Sequence, residues 1–300
     1  MEQFDVIIIG AGPAGITASI YAYRAGLNAI LFDKGAIGGK VVDAYEIENY
    51  PGFNKINGSD LALSFRNQIK SMGINFKRES VTRIEQFADR FYVDTNKAKY
   101  LTKRIIIATG TEETKMNLEN EEKFKGRGVS YCATCDGAYY QNKDVVVYGG
   151  GDSAVTEATF LAKTSKSVTI ISRHDLRGEK QNILKLFEYP NVKHIKNTTI
   201  TALNGDENLE SIDLINLDGT KSNLKTDGLF VYIGAKPNLS YLNRLNILDK
   251  NGYINVDDHF RTQVKNIYAI GDVINKELRQ IVTATNDGAE VIHTILKENI

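Results

Sequence analysis

Val6-Ile7-Ile8-Ile9-Gly10-Ala11-Gly12-Pro13-Ala14-Gly15 decides how the rest of the chain is read. Four consecutive β-branched residues are the pattern of a short strand buried on both faces of a parallel sheet. The G-x-G-x-x-G spacing that follows predicts a tight turn, after which Ile16 to Ala25 has helical composition and Gly26 marks its stop. A second apolar run, Ala29 to Phe32, closes on Asp33. Strand, glycine turn, helix, strand and acid in this order make a dinucleotide-binding βαβ unit. Gly10 permits the turn, Gly12 lets the backbone approach a diphosphate, and Gly15 lets helix and strand pack closely. Pro13 and Ala14 complete the turn, where unpaired N–H groups and the helix dipole favour an anion. Asp33 is placed to accept hydrogen bonds from free ribose hydroxyls, which excludes a 2′-phosphate at this site.

The pattern returns 139 positions later, counted from Gly10 to Gly149. Val145 to Tyr148 reads as the strand, Gly149-Gly150-Gly151-Asp152-Ser153-Ala154 as the turn, Val155 to Lys163 as the helix and Val168 to Ile171 as the next strand. Further buried-strand runs end in glycine at Gly110 and Gly234, and a third spans Val264 to Asp272. Two such units imply two nucleotides. After the second copy the position next to the strand holds Ser172-Arg173-His174, with Arg177 close by, and no carboxylate precedes them. Arginine suits a 2′-phosphate through a charged, forked contact, so NADP(H) is expected ahead of NAD(H), with solvated surface cations as the plain alternative.

The 300 residues, of 33.4 kDa, suffice for two domains that each bury a core. Composition is ordinary for a globular chain, 42% hydrophobic and 25% charged, so disorder is excluded. With 37 basic and 37 acidic residues there is no net field to collect nucleic acid. Val6 to Tyr23 is uncharged for 18 residues, but its clustered glycines break it as a membrane span. The chain shows no basic leader, and a cytoplasmic protein is expected.

Its two cysteines stand three apart in Cys132-Ala133-Thr134-Cys135-Asp136. A zinc site needs two more ligands, and His174, His194, His259 and His293 are dispersed without ligand spacing. A redox-active dithiol, one sulfur attacking and the other resolving, is the remaining reading. Asp136 beside it is either a proton donor and acceptor for the departing thiolate or a helix N-cap. A dithiol does not take hydride from a nicotinamide at useful speed. A flavin does, and FAD is itself a dinucleotide, which accounts for the second fingerprint.

These residues together resemble the low-molecular-weight bacterial thioredoxin reductases, from one end of the chain to the other. The resemblance is carried by GAGPAG, Gly38-Gly39, Glu48-Asn49-Tyr50-Pro51-Gly52, Ala108 to Gly110, Phe124 to Val129, CATCDG from Cys132 to Gly137, and Gly271-Asp272-Val273 with Arg279-Gln280. It implies an α/β protein with two Rossmann-like domains, the NADP(H) domain inserted into a split FAD domain. The expected boundaries are 1–112 and 241–300 for FAD, and 113–240 for the nucleotide domain that carries the dithiol. By the same resemblance Cys135 faces the flavin, Cys132 attacks the partner disulfide and Asp136 handles the proton. Lys34, Gly38, Gly39, Lys40, Asn49, Gly271, Asp272, Arg279 and Gln280 lie around FAD. Gly149, Gly151, Asp152, Ser153, Ala154, Arg173, His174 and Arg177 hold NADPH. A homodimer that reduces a thioredoxin-like protein follows.

Two positions depart from the family pattern. Lys40 stands where glutamine is usual, and Ser172-Arg173-His174 replaces His-Arg-Arg before a shorter loop to Arg177. The altered cation cluster makes NADH as donor one alternative within the enzyme class. The other is the reverse flow on the same fold and CATC motif, a dithiol oxidase that discards electrons to oxygen and has no need of Ser153, Arg173 or Arg177. A non-catalytic nucleotide-binding protein is the alternative outside it.

Overall fold

A computed structural model describes residues 1–44, 46–242 and 245–298. It divides into two compact units, one formed by Met1–Glu112 with Lys236–Ile300 and the other by Glu113–Ala235. The first unit begins β1 (Gln3–Ile9), α1 (Pro13–Arg24), β2 (Ala29–Asp33), α2 (Gly58–Ser71) and β3 (Phe76–Arg78). A meander follows: β4 (Val81–Phe87), β5 (Arg90–Thr95) and β6 (Lys99–Ile107). The chain leaves through β7 (Glu112–Glu113).

The second unit runs α3 (Glu121–Phe124), β8 (Val129–Ser130), α4 (Ala133–Asp136), β9 (Asp144–Tyr148), α5 (Asp152–Ala162), β10 (Ser167–Ile171), α6 (Lys180–Phe187) and β11 (Val192–Ile195). Strands β12 (Thr198–Asn204), β13 (Ser211–Asn216) and β14 (Lys221–Lys225) precede β15 (Gly228–Val231). The chain returns through β16 (Ala235–Lys236), which pairs with β7, to β17 (Ile267–Ala269) and α7 (Ile281–Lys297).

In the first unit the sheet order is β3-β2-β1-β6-β5-β4, with β17 also pairing with β6. The strands β3, β2, β1, β6 and β17 are parallel, because the connection from β1 to β2 passes through α1 and that from β6 to β17 through the whole second unit. Only β4 and β5 run antiparallel to their neighbours. Register puts Ile9 beside both Phe32 and Ile107, so β1 lies at the centre. Val6 to Ile9 are all buried and split between two cores, one on each face of the sheet, which is why they read as an unbroken apolar run. The second unit repeats the design in the parallel order β11-β10-β9-β15-β8, with β12-β13-β14 as a separate antiparallel sheet.

Two helices begin earlier than composition suggests. Helix α1 starts at Pro13 rather than Ile16, since proline loses nothing at a first turn whose N–H groups have no intrahelical acceptor. Likewise α5 starts at Asp152 rather than Val155. Among the described residues no helix is long and apolar enough to cross a membrane.

Candidate functional site

Both glycine turns sit at the carboxyl ends of central parallel strands, where open α/β sheets leave a crevice. Their glycines are required for different reasons. Gly10 has φ of 109°, and a Cβ there would lie 2.3 Å from the Ala108 carbonyl oxygen. At Gly15 a Cβ would lie 1.8 Å from the Gly10 carbonyl oxygen, because helix and strand touch. Gly12 is the exception. Its φ of −77° and ψ of 179° suit any residue, and an added Cβ meets nothing within 4 Å. Nothing among the described residues demands glycine there, so the open ground above it fits a ligand that lies on the backbone. No side chain caps α1, which leaves its first-turn N–H groups for an anion.

Asp33 stands beside this turn with one oxygen accepting the Ala11 N–H at 2.7 Å and the other accepting the Gly35 N–H at 2.6 Å. Two backbone bonds use only half of its acceptor capacity. Lys34 pairs with Glu112, whose other oxygen accepts Asn238 Nδ2 at 3.0 Å. Gly38 donates to the Ala11 carbonyl at 2.8 Å, and Gly39 packs on the Cα of Gly12, so this pair is brought to the first turn. Gly271 lies against Ala14. Asn49 donates to Gln280 Oε1 at 3.1 Å, although 231 positions separate them. Gln280 is also the N-cap of α7 and makes a capping box with Thr283.

Asp272 is half-buried; burial raises its carboxyl above the ordinary range against the opposing pull of Arg279, Lys276 and Lys40. Arg279 stacks its guanidinium over the Tyr253 ring at 4.6 Å, and its buried Nε has no hydrogen-bond partner among the described residues. Sequence reasoning missed what supports this segment. Asp287 is buried on the inner face of α7, accepting the Gly271 N–H at 2.9 Å and Lys276 Nζ at 2.6 Å. Its signal was an acid between the core positions Ala284 and Val291 of an amphipathic helix.

The second turn has the same anatomy. Gly149 abuts the Tyr232 carbonyl, Ala154 is buried in the close-packing position, and Gly151 is open, with φ of −93° and nothing within 4 Å of an added Cβ. The Arg177 N–H donates to the Gly150 carbonyl at 2.7 Å, which draws the cationic loop to the turn. Arg173, His174 and Arg177 are exposed there, as is Ser153. Asp152 instead secures the loop, accepting the Glu179 N–H at 2.6 Å.

Beneath the loop, Ser172 Oγ donates to the His174 carbonyl and lies 2.8 Å from His194 Nε2. Since the hydroxyl has one proton, Nε2 is the donor to Ser172. Burial holds the His194 pKa below its ordinary 6.5. The unfolded chain therefore takes up this proton first, and stability contributed above pH 6.5 is lost as pH falls towards the folded value. Urea midpoints of wild type and His194→Gln, followed from pH 7.5 to 5.5, are expected to diverge at neutral pH and to converge in acid.

The cysteines are joined as a disulfide with Cα atoms 5.3 Å apart. Cys132 is half-buried and is itself the N-cap of α4; its Sγ accepts the Cys135 N–H at 3.2 Å and meets Thr134 Oγ1 at 3.2 Å. Cys135 is exposed. Asp136 ends α4 and stands at the N-cap position of the 3₁₀ turn Gly137–Tyr140, but its side chain makes no capping hydrogen bond there. Its charge acts on Tyr140, whose hydroxyl burial pushes above its usual range. Preceding the pair, Tyr131 donates to the buried Glu121 carboxylate, which also accepts the N–H groups of Met116 and Leu118.

A sulfur pair sharing a unit with one open nucleotide turn, in a chain that carries a second such turn, defines the class as disulfide redox proteins served by dinucleotides. Comparison with known proteins agrees. The sequence matches the family described as pyridine nucleotide-disulphide oxidoreductase over residues 4–288. It is 42% identical over 288 residues to the thioredoxin reductase of Listeria innocua, covering 95% of this chain and 90% of that one. Its fold superposes on the thioredoxin reductase of Lactococcus lactis with a TM-score of 0.95 at 37% identity, covering 98% and 99% of the two chains. For the T. acidophilum thioredoxin reductase the TM-score is 0.95 at 34% identity, covering 100% and 99%. The chain belongs to the pyridine nucleotide-disulphide oxidoreductases and, within them, to the thioredoxin reductase family.

Proposed function

We propose that this chain is an FAD-containing, NADPH-dependent reductase of the disulfide of a thioredoxin-like protein. The unit that contains both chain ends takes FAD, and the inserted unit takes NADPH. The observation that carries the reading is that Gly12 and Gly151, one in each unit, have no need of glycine among the described residues, while the unit of Gly151 also holds Cys132 and Cys135. Relatives and solved structures named thioredoxin reductase support the same conclusion. The proposal includes a homodimer working in the cytoplasm, where dithiols of this kind are kept reduced.

FAD, when bound, supplies an acceptor for the nicotinamide hydride and a source of the electron pair for a disulfide. Its diphosphate would rest on Gly10, Gly12, Pro13, Ala14 and Gly15, with Asp33 accepting from the ribose and Lys34 nearby. Gly38, Gly39, Lys40, Asn49, Gly271, Asp272, Arg279 and Gln280 would line the remainder, the free Arg279 Nε being a donor in want of an acceptor. At the second turn Gly149, Gly151 and Ala154 would form the bed, Asp152 and Ser153 the first helical turn, and Arg173, His174 and Arg177 the 2′-phosphate contacts.

Once the pair is a dithiol, the donors around Cys132 Sγ favour its thiolate. That thiolate attacks one sulfur of the partner disulfide; a mixed disulfide forms and a partner thiolate leaves. Cys135, giving its proton to Asp136, then attacks the Cys132 sulfur. The internal S–S bond is restored, and the second partner thiolate departs and is protonated.

Anaerobic addition of NADPH is expected to bleach the flavin absorbance of the purified protein, and later addition of a thioredoxin disulfide to restore it. A protein that stays colourless after FAD is supplied would refute the reading. Arg173→Ala is expected to raise KM for NADPH by about tenfold or more, the worth of one charge-assisted hydrogen bond, and to leave KM for NADH unchanged. An equal effect on both nucleotides would place the 2′-phosphate elsewhere.

A further inference from the structure

The amide of Ala133 lies between the two cysteines, at the first position of α4, where an N–H has no acceptor within its own helix. Ala133 is also completely buried, so this N–H cannot turn to water. Its partner comes from 99 positions away: Tyr232 Oη accepts it at 2.8 Å. Tyr232 is placed for this by the sheet. It follows β15, whose Leu229 and Phe230 pair with Val129 and Ser130 of β8, the strand that runs into Cys132. Its N–H donates to the Tyr148 carbonyl at 2.7 Å, and its own carbonyl lies against Gly149, the first glycine of the nucleotide turn. Its ring packs against the core under α4 and α5.

We propose that the Tyr232 hydroxyl is a positioning residue for Cys132: by holding the Ala133 amide it sets the first turn of α4, and with it the donors aimed at the Cys132 sulfur. Those donors are the Cys135 N–H and the Thr134 hydroxyl, each 3.2 Å from Sγ. Both belong to the four-residue helix that starts at Ala133, so their aim depends on how that helix is seated. Ala133 also packs in the core beside α5, and the Asp136 N–H donates to the Cys132 carbonyl at 3.2 Å, but neither of these holds the Ala133 amide. On its N-terminal side Ser130 Oγ accepts the Cys132 N–H at 3.1 Å and donates to the Cys132 carbonyl at 3.2 Å, which fixes Cys132 but not the turn after it. When the pair is reduced, well-aimed donors stabilise the thiolate over the thiol and hold down the pKa of the attacking sulfur. The role deepens the proposed function, but its principal test needs neither nucleotide nor partner, so failure of one reading leaves the other standing.

Tyr232→Phe removes one oxygen and keeps the ring and the backbone contact with Gly149. Wild type and variant holoenzyme are reduced with dithiothreitol, freed of it, and alkylated with iodoacetamide from pH 5 to 9, with modification of Cys132 followed by mass spectrometry. In the variant the alkylation profile is expected to shift to higher pH, and the rate at pH 6 to fall about three- to tenfold, the factor that one hydrogen bond carries. KM for NADPH is expected to be unchanged, while kcat for the partner disulfide falls with the thiolate fraction. Tyr232→Trp or Tyr232→Ala would disturb packing as well and are not substitutes. An unchanged profile overturns the proposal. So does a faster reaction in Tyr232→Phe, which would mean that the freed Ala133 amide serves the sulfur better than the one held by tyrosine.

Discussion

Cys135→Ser is expected to lower NADPH-dependent reduction of a thioredoxin disulfide by at least about 10³-fold, since the two sulfurs act as one unit and neither half completes a cycle. Bleaching of the flavin by NADPH is expected to persist, because nothing in either glycine turn has changed. The variant should also discriminate the sulfurs. Cys132 keeps its half-buried place and the Thr134 hydroxyl beside it, so it should still attack a partner disulfide and stop at a mixed disulfide that gel electrophoresis without reductant detects. Cys132→Ser leaves only Cys135, whose sulfur accepts no hydrogen bond from the surrounding turn among the described residues, and should trap far less partner. Equal trapping by the two variants would reverse the assigned roles.

The second large effect separates two glycines three residues apart. Gly15→Ala puts a methyl 1.8 Å from the Gly10 carbonyl oxygen and 3.3 Å from the Ala108 methyl, on residues that directly follow β1 and β6 and are tied to the sheet by the Gly10 N–H to the Phe32 carbonyl and the Ala108 N–H to the Ile9 carbonyl. A loss of at least about 3 kcal/mol is expected, read as a lower urea midpoint of the apoprotein or as failure to obtain soluble protein. Gly12→Ala has free space and an ordinary backbone conformation. Its apoprotein should unfold within about 1 kcal/mol of wild type, the range of an N-cap change. FAD affinity should nevertheless fall on the order of 100-fold, or about 2.7 kcal/mol. Normal FAD binding by Gly12→Ala would remove the first turn from the flavin site.

The contrast also shows what a sequence motif contains. Gly10, Gly12 and Gly15 are the same letter, and their spacing predicts a turn. Only packing distinguishes the glycine needed for φ, the glycine needed for contact and the glycine that the protein itself does not need. Arg173 and Arg177 were legible as cations after the second unit, but their nearness to the turn depends on the Arg177 N–H reaching the Gly150 carbonyl. In sequence Asp136 offers a proton group or an N-cap; it does stand at the N-cap position before Gly137, but the side chain that caps is that of Cys132, whose sulfur accepts the Cys135 N–H. Cysteine sulfur is a weak acceptor and is not among the favoured capping groups, so residue preference pointed to the carboxylate.

Sequence alone determined both strand, turn and helix units, the buried character of β1 and β9, and the sulfur pair at a spacing that lets the sulfurs meet. All of these depend on residue type and spacing within short stretches, where backbone geometry leaves few choices. Tertiary structure alone decided that Asn49 meets Gln280, that Lys276 and Asp287 lie beneath Gly271, and that Tyr232 holds the amide between the cysteines. Each of these contacts depends on which strands are neighbours and in what register, or on how α7 docks. Those are properties of the whole sheet and its two cores, and no local run of residues specifies them.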